Sequence, residues 1–167
     1  MYQFPIKNLN ELHSISYRVK WQYFEKLVAW IFEQNDFDVK QNVVIKSAVG
    51  KRQFDVIAAK YDKLFLVDCK KWRSKGQRIA ALKSAVKKHL ERCDIYSMKS
   101  EIKSKKSAAS DSAYFHGNKK IIPVIVTLLE EDIMDYENVP IVPIMKLDWF
   151  LNNVDFDFPV FSIHIAS

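Results

Sequence analysis

The sequence predicts an α/β fold, a central mixed β-sheet flanked by helices. Three observations carry this. Apolar residues recur at helical spacing over 16–34 and again over 77–95. Three apolar segments between them, 37–47, 53–60 and 64–70, read as consecutive strands. Beyond the second helix, strand-like segments at 120–129 and 139–145 precede a short helix at 146–154. A meander of strands followed by an αβ crossover implies a sheet with both parallel and antiparallel neighbours.

The first helix has Phe24, Leu27, Val28 and Ile31 at three- and four-residue intervals, one buried face, and Ser16 is its expected N-cap. Gly50 is the expected pivot of the turn between the first two strands. The second helix, 77–95, places Ile79, Leu82, Val86, Leu90 and Cys93 on one face, with Lys83, Lys87, Lys88 and Arg92 largely off it. The Ser- and Lys-rich stretch that follows extends this helix in its first half and reads as a mobile loop over about 104–118. Pro123 is expected near the start of its strand or on an edge. A last edge strand is expected at 158–167.

The chain of 167 residues fits a single domain, 1–167, with its core at about 16–154. A chain of that length buries roughly two thirds of its unfolded surface, so no disulfide or metal staple is required. Apolar residues are 49% and charged residues 28%, an ordinary soluble balance. No apolar run approaches the ~20 residues of a membrane span, and the first residues lack a basic-then-apolar signal pattern. Cys69 and Cys93 have no metal-like spacing, and Cys69 alternates with Phe65 and Val67 as a small core hydrophobe. These features point to a reducing, cytoplasmic setting.

The net charge is +6, and its distribution is uneven. Residues 1–69 carry 10 Lys/Arg against 8 Asp/Glu, residues 70–106 carry 13 against 3, and residues 107–167 carry 3 against 9. The positive excess therefore begins at Lys70. Such a segment attracts polyanions, although a lysine-rich solvated helix face would look the same. Lys71, Arg73, Lys75, Arg78, Lys83, Lys87, Lys88 and Arg92 are the candidate nucleic-acid contacts.

Asp68 and Lys70 point to one face of their strand, and the charges arrive only at its end. A two-residue loop at Tyr61-Asp62 or Asp62-Lys63 would set Asp55 opposite Asp68 or Lys70, with Cβ atoms within roughly 5–8 Å. A three-residue loop without a bulge would separate them. By the same alternation Phe54, Val56 and Ala58 share one side of the preceding strand. Two carboxylates in a partly dry cleft repel, and a divalent cation between them relieves this. Mg²⁺ suits the pair, with Mn²⁺ as a substitute, because it needs only one or two carboxylates besides water and phosphate oxygens. Lys70 beside it would orient water or neutralise charge in the transition state. The competing reading is a buried ion pair of Lys70 with Asp68 or Asp55.

The stretch "FDVIAAKYDKLFLVDCK" resembles the core of restriction-endonuclease-like nucleases, the PD-(D/E)XK superfamily. It is similar in particular to Mrr-like restriction endonucleases and archaeal Holliday-junction resolvases. Asp55 matches the first acid of that pattern, Asp68 the second, and Lys70 the lysine. Glu25 in "YFEKLVAWIF" occupies the place where many members carry a helical Glu, although a solvent-facing Glu25 is the plainer alternative. Phe54 stands where the signature has proline, and Asp68 replaces the commoner Glu. The resemblance runs from about residue 20 to 90 and continues more weakly through "IIPVIVT" and "IVPIMKLDWFLNN".

The resemblance implies an αβββαβ restriction-endonuclease-like core and a metal-dependent endonuclease acting on DNA. Asp55 and Asp68 would hold the metal, and Glu25, Asp55, Asp68 and Lys70 would form the catalytic set. RNA, a four-way junction, or a catalytically silent nucleic-acid-binding module stay open, and the family's frequent dimers make a homodimer one option. His13, His89, His116 and His164 show no metal-ligand spacing and read as structural or surface residues. Trp72 either stacks on a base or packs against the second helix, and Gln77 is either a polar contact or part of a solvated first turn.

Overall fold

A computed structural model describes residues 7–48, 50–73, 78–104 and 120–153. The loop expected at 104–118 lies almost wholly outside these residues, as do Lys75, Gln77 and the strand expected at 158–167.

The N-terminal helical region is two helices, α1 (Leu9–Arg18) and α2 (Trp21–Gln34). They part at Val19 and Lys20, whose backbones are extended, with ψ of 153° and 162°. Asn8, not Ser16, caps the first helix: its side chain accepts from Glu11 N at 3.1 Å, while Lys7 N donates to Glu11 Oε2 at 2.6 Å. Ser16 is buried inside α1, and its hydroxyl donates to His13 O at 3.0 Å. α2 buries the expected face of Phe24, Leu27, Val28 and Ile31.

The strands are β1 (Asp38–Ser47), β2 (Gly50–Lys60), β3 (Lys63–Lys70), β4 (Lys120–Thr127), β5 (Asp135–Tyr136) and β6 (Val139–Pro143). They lie in the order β1-β2-β3-β4-β6-β5. The first three form an antiparallel meander, β3–β4 and β4–β6 pair in parallel, and β5 closes an antiparallel edge on β6. α3 (Ile79–Ser104) crosses between β3 and β4, and α4 (Ile144–Asn153) follows β6. This is the mixed sheet flanked by helices of a restriction-endonuclease-like fold. Pro123 tolerates its interior position because β4 pairs with β3 alone there; the β4–β6 ladder starts at Ile125↔Ile141.

β3 is buried along both faces, which explains its near-continuous apolar run. Phe65, Val67 and Cys69 pack with α2 and α4 residues such as Phe24, Leu27 and Leu147. Leu64 and Leu66 pack on the other side with Cys93 and Tyr96 of α3. Further along, Leu82 and Val86 of α3 meet Ile125, Val139 and Ile141. Ile79, expected in the buried face of α3, is 40% exposed in the helix's first turn, ahead of where α3 meets the sheet.

Strict alternation along β2 fails at one point. Val56 and Ala58 pack in the α2 layer, but Phe54 packs with α3, edge-on to His89 and Tyr96. β1 switches in step: Val39 joins the α2 layer, and Val43 and Ile45 the α3 layer. The switch falls at Asn42, which has a φ of +52° and interrupts the ladder between Gln41↔Val56 and Val43↔Phe54. Asp55 is the residue of β2 at that interruption.

Candidate active site

The β2–β3 hairpin closes through a two-residue loop, Tyr61-Asp62, between the paired Lys60 and Lys63, with Tyr61 at a φ of +53°. Regular pairing then runs to Val56↔Val67. The next step in that register sets Asp55 against Asp68, one of the two registers the sequence allowed. Here the strands depart from the ladder. Asp55 Oδ2 accepts the backbone N–H of Cys69 at 2.7 Å, so a side chain satisfies a strand amide.

Asp68 is buried and faces two cations. Lys70 Nζ lies 2.6 Å from Oδ2, and Arg92 Nη2 lies 3.1 Å from Oδ1. The Lys70 contact, on Oδ2, is the shorter of the two. Burial opposes ionisation of Asp68, but the charge of Lys70, aided by His89 and Arg92, outweighs it and holds the carboxyl below its ordinary value. Burial chiefly pushes Asp55 upward, partly offset by the Cys69 bond, and the charge of Asp68 adds to the rise. The two carboxylates thus sit in environments that drive them apart, a pattern typical of functional sites.

Glu25 is 6% exposed, so it is not a solvent-facing residue. Burial and then the charge of Asp55 raise its pKa, with the Trp21 side chain giving a partly compensating hydrogen bond. α2 therefore delivers a third carboxyl to the neighbourhood of the hairpin end. Among the described residues, no three His, Cys, Asp or Glu side chains converge as a metal-binding group. The Asp55–Asp68 pair still offers hard oxygen donors of the kind a divalent cation takes, although both Asp68 oxygens face cationic side chains here.

α3 supplies the opposite wall. Ala81, Ser84, Ala85, Lys88 and Arg92 recur along one stripe and, with Asp68, Lys70 and Trp72, line a groove of about 360 Å³. His89 is fully buried beside this stripe. Its Nε2–H donates to Leu66 O at 2.8 Å, which leaves Nδ1 as an acceptor 3.5 Å from Arg92 Nη2. The histidine is buried and structural, tied to Leu66 O, with Nδ1 facing the Arg92 guanidinium.

The expected nucleic-acid contacts divide by position. Lys88 and Arg92 line the groove. Lys87 is exposed but a helical step of about 100° away from Lys88. Lys83 is exposed and lies 5.1 Å from the centre of the Tyr136 ring. Lys71 donates to the carbonyls of Tyr17 and Val19 at the α1–α2 junction. Arg73 is exposed over the Tyr17 ring. Arg78 pairs with the buried Glu131 at 2.9 Å and covers Trp72, which packs against Leu82 and Val86 of α3 while also lining the groove. The sequence placed Arg92 among phosphate contacts and missed its pairing with Asp68. His89 and Arg92 are visibly one helical turn apart, but nothing local joins them to Asp68.

The family model Mrr_cat, restriction endonuclease, matches residues 16–114, which hold Glu25, Asp55, Asp68, Lys70 and Arg92. The chain belongs to the Mrr-type restriction endonuclease family. An uncharacterized protein of Archaeoglobus fulgidus is 29% identical over 138 residues, covering 83% of this Mrr-type chain and 94% of the relative. Solved structures with partial likeness include the protein of unknown function AF1548, at 17% identity and a TM-score of 0.37, with 65% of this chain and 47% of that chain covered. Protein VC1899 from Vibrio cholerae is 15% identical with a TM-score of 0.42, over 79% of this chain and 32% of that chain. The chain thus spans less than half the length of either solved protein. Family membership makes this a nuclease-type domain. No described helix is long and apolar enough to cross a membrane.

Proposed function

We propose that this Mrr-type domain is an endonuclease that hydrolyses phosphodiester bonds in DNA with the help of Mg²⁺, which Mn²⁺ can replace. The observation that carries the reading is the strand end itself. Asp55 is anchored on Cys69 N–H, Asp68 is buried, and Lys70 stands 2.6 Å from Asp68 Oδ2 on a groove of about 360 Å³ walled by α3.

Asp55 and Asp68 are the residues that would hold the cation. When bound, such an ion neutralises phosphoryl oxygens and lowers the pKa of water. Lys70 is partly exposed at the groove, where its ammonium meets the negative charge that builds on the phosphate during in-line attack by water. Glu25, with its raised pKa, takes the role of an outer residue that orients water by hydrogen bonding. Lys88 and Ser84 offer a charge and a hydroxyl along the α3 wall for the backbone phosphates of the substrate.

The experiment is a substrate panel: supercoiled plasmid, linear duplex, single strand, four-way junction and RNA, each with Mg²⁺, Mn²⁺ or EDTA. Metal-dependent cleavage of a DNA form, lost in Asp68→Asn, is the expected result. Cleavage of RNA alone would move the substrate assignment. Binding without cleavage of any form would leave a silent nucleic-acid-binding module.

A further inference from the structure

Arg92 makes an incomplete pair. A guanidinium meets a carboxylate best through two parallel N–H groups. Here only Nη2 reaches Asp68, at 3.1 Å from Oδ1, and the same nitrogen lies 3.5 Å from His89 Nδ1. The Nε–H is buried and has no hydrogen-bond partner among the described residues. The side chain is 23% exposed and borders the groove that Lys88 and Ser84 also line. With Lys70 on Oδ2 and Arg92 on Oδ1, both oxygens of Asp68 face a cation. That leaves little negative charge there to attract a divalent ion. A phosphate in the groove offers Arg92 the two-oxygen partner that Asp68 does not.

We propose that Arg92 is a placeholder cation: it neutralises Asp68 until a nucleic-acid phosphate draws its guanidinium into the groove, and Asp68 Oδ1 then opens to the divalent ion. The inference rests on the hydrolase reading above and adds an order to it, in which substrate precedes tight metal binding. His89 gives the guanidinium its resting position, since its acceptor Nδ1 faces Nη2. By linkage the effect is reciprocal, so metal must tighten nucleic-acid binding by the same factor.

The test is Mn²⁺ binding, read by electron paramagnetic resonance of the free ion. It is run on protein alone and on protein saturated with a short DNA duplex, with the duplex-only titration subtracted. Wild type should bind Mn²⁺ about ten-fold more tightly with DNA than without, a coupling of ordinary allosteric size. Arg92→Gln should raise the DNA-free affinity by a similar factor and close most of the gap. Arg92→Lys should keep the weak DNA-free binding, because the blocking charge persists. Equal Mn²⁺ affinity in wild type with and without DNA overturns the placeholder, whether or not Arg92→Gln folds. So does an Arg92→Gln protein with a normal melting curve and wild-type DNA-free affinity. If binding is equal and Asp68→Asn loses it, only the placeholder falls. If neither wild type nor Asp68→Asn binds Mn²⁺ under either condition, the hydrolase reading falls with it.

Discussion

Cys69 and Asp55 are joined across the hairpin by a backbone-to-carboxylate hydrogen bond of 2.7 Å. It replaces a ladder bond where β2 and β3 stop pairing, so one side chain serves both the sheet and the site. Two substitutions separate these duties. Asparagine keeps an oxygen for the Cys69 amide, whereas alanine leaves that amide unsatisfied.

Asp55→Ala should lose about 1–3 kcal/mol, the cost of a buried unpaired polar group. Asp55→Asn should be at least as stable as wild type at pH 7. The folded-state pKa of Asp55 is raised, first by burial, so its contribution to stability is full below the unfolded value and is lost as pH rises through the folded one. Asparagine removes that loss. Urea unfolding at pH 7 checks both, and equal destabilisation by the two variants would contradict the assignment of this bond.

His89 should make the protein acid-labile. Burial is the main cause that lowers its pKa from 6.5 to about 4. As pH falls, the unfolded chain takes up the proton first. Stability from neutral His89 is therefore full above pH 6.5 and is lost as pH falls towards 4. The shift corresponds to roughly 3 kcal/mol. His89→Gln retains a donor for Leu66 O and should flatten the pH dependence of the urea midpoint in this window. A slope that persists in His89→Gln would place the titrating group elsewhere. Asp68 is held below its ordinary value, so its own stability loss belongs to a more acid range.

Nucleic-acid affinity should depend on which flank of α3 is changed. Lys88 borders the groove, while Lys83 sits over Tyr136 and Lys87 lies off the groove stripe. Lys88→Ser should reduce the log–log salt slope on duplex DNA by about one unit, with weaker binding to all sequences alike. Lys83→Ser and Lys87→Ser should change it less. Fluorescence anisotropy between low and moderate salt decides this, and three equal changes would mean that the α3 charge acts only as a diffuse field.

The interior place of β3 was legible because the strand carries its own evidence. An apolar run on both faces, closed by charges, can only be an interior strand whose end opens to solvent. A two-residue loop left Asp55 opposite either Asp68 or Lys70, and only the hairpin's register, running from Lys60↔Lys63 to Val56↔Val67, decides between them. The break at Val19 and Lys20 was not legible, since neither residue is a helix breaker and the apolar face of α2 continues from Trp21. Asn8 and Glu11 carry a capping signal, but the helix they open, ending at Arg18, is mostly polar. β5 is two residues long and depends on Glu137 and Asn138 at positive φ, too short for any periodicity. Phe54 defeated simple alternation because the reversal is imposed from the neighbouring strand by Asn42. The Arg92–Asp68 pair joins α3 to β3, and only the packing of that helix on the sheet creates it.

The most direct test of the hydrolase assignment is single-turnover cleavage of a bound duplex by wild type and Lys70→Met, with DNA affinity measured on the same samples. Lys70 is one cation among the 13 of residues 70–106, so its loss should leave affinity nearly intact. Arg92 remains to neutralise Asp68, so the variant should also fold. The account predicts Mg²⁺-dependent cleavage by wild type and none above background by Lys70→Met at full occupancy. Undiminished cleavage by Lys70→Met would contradict it.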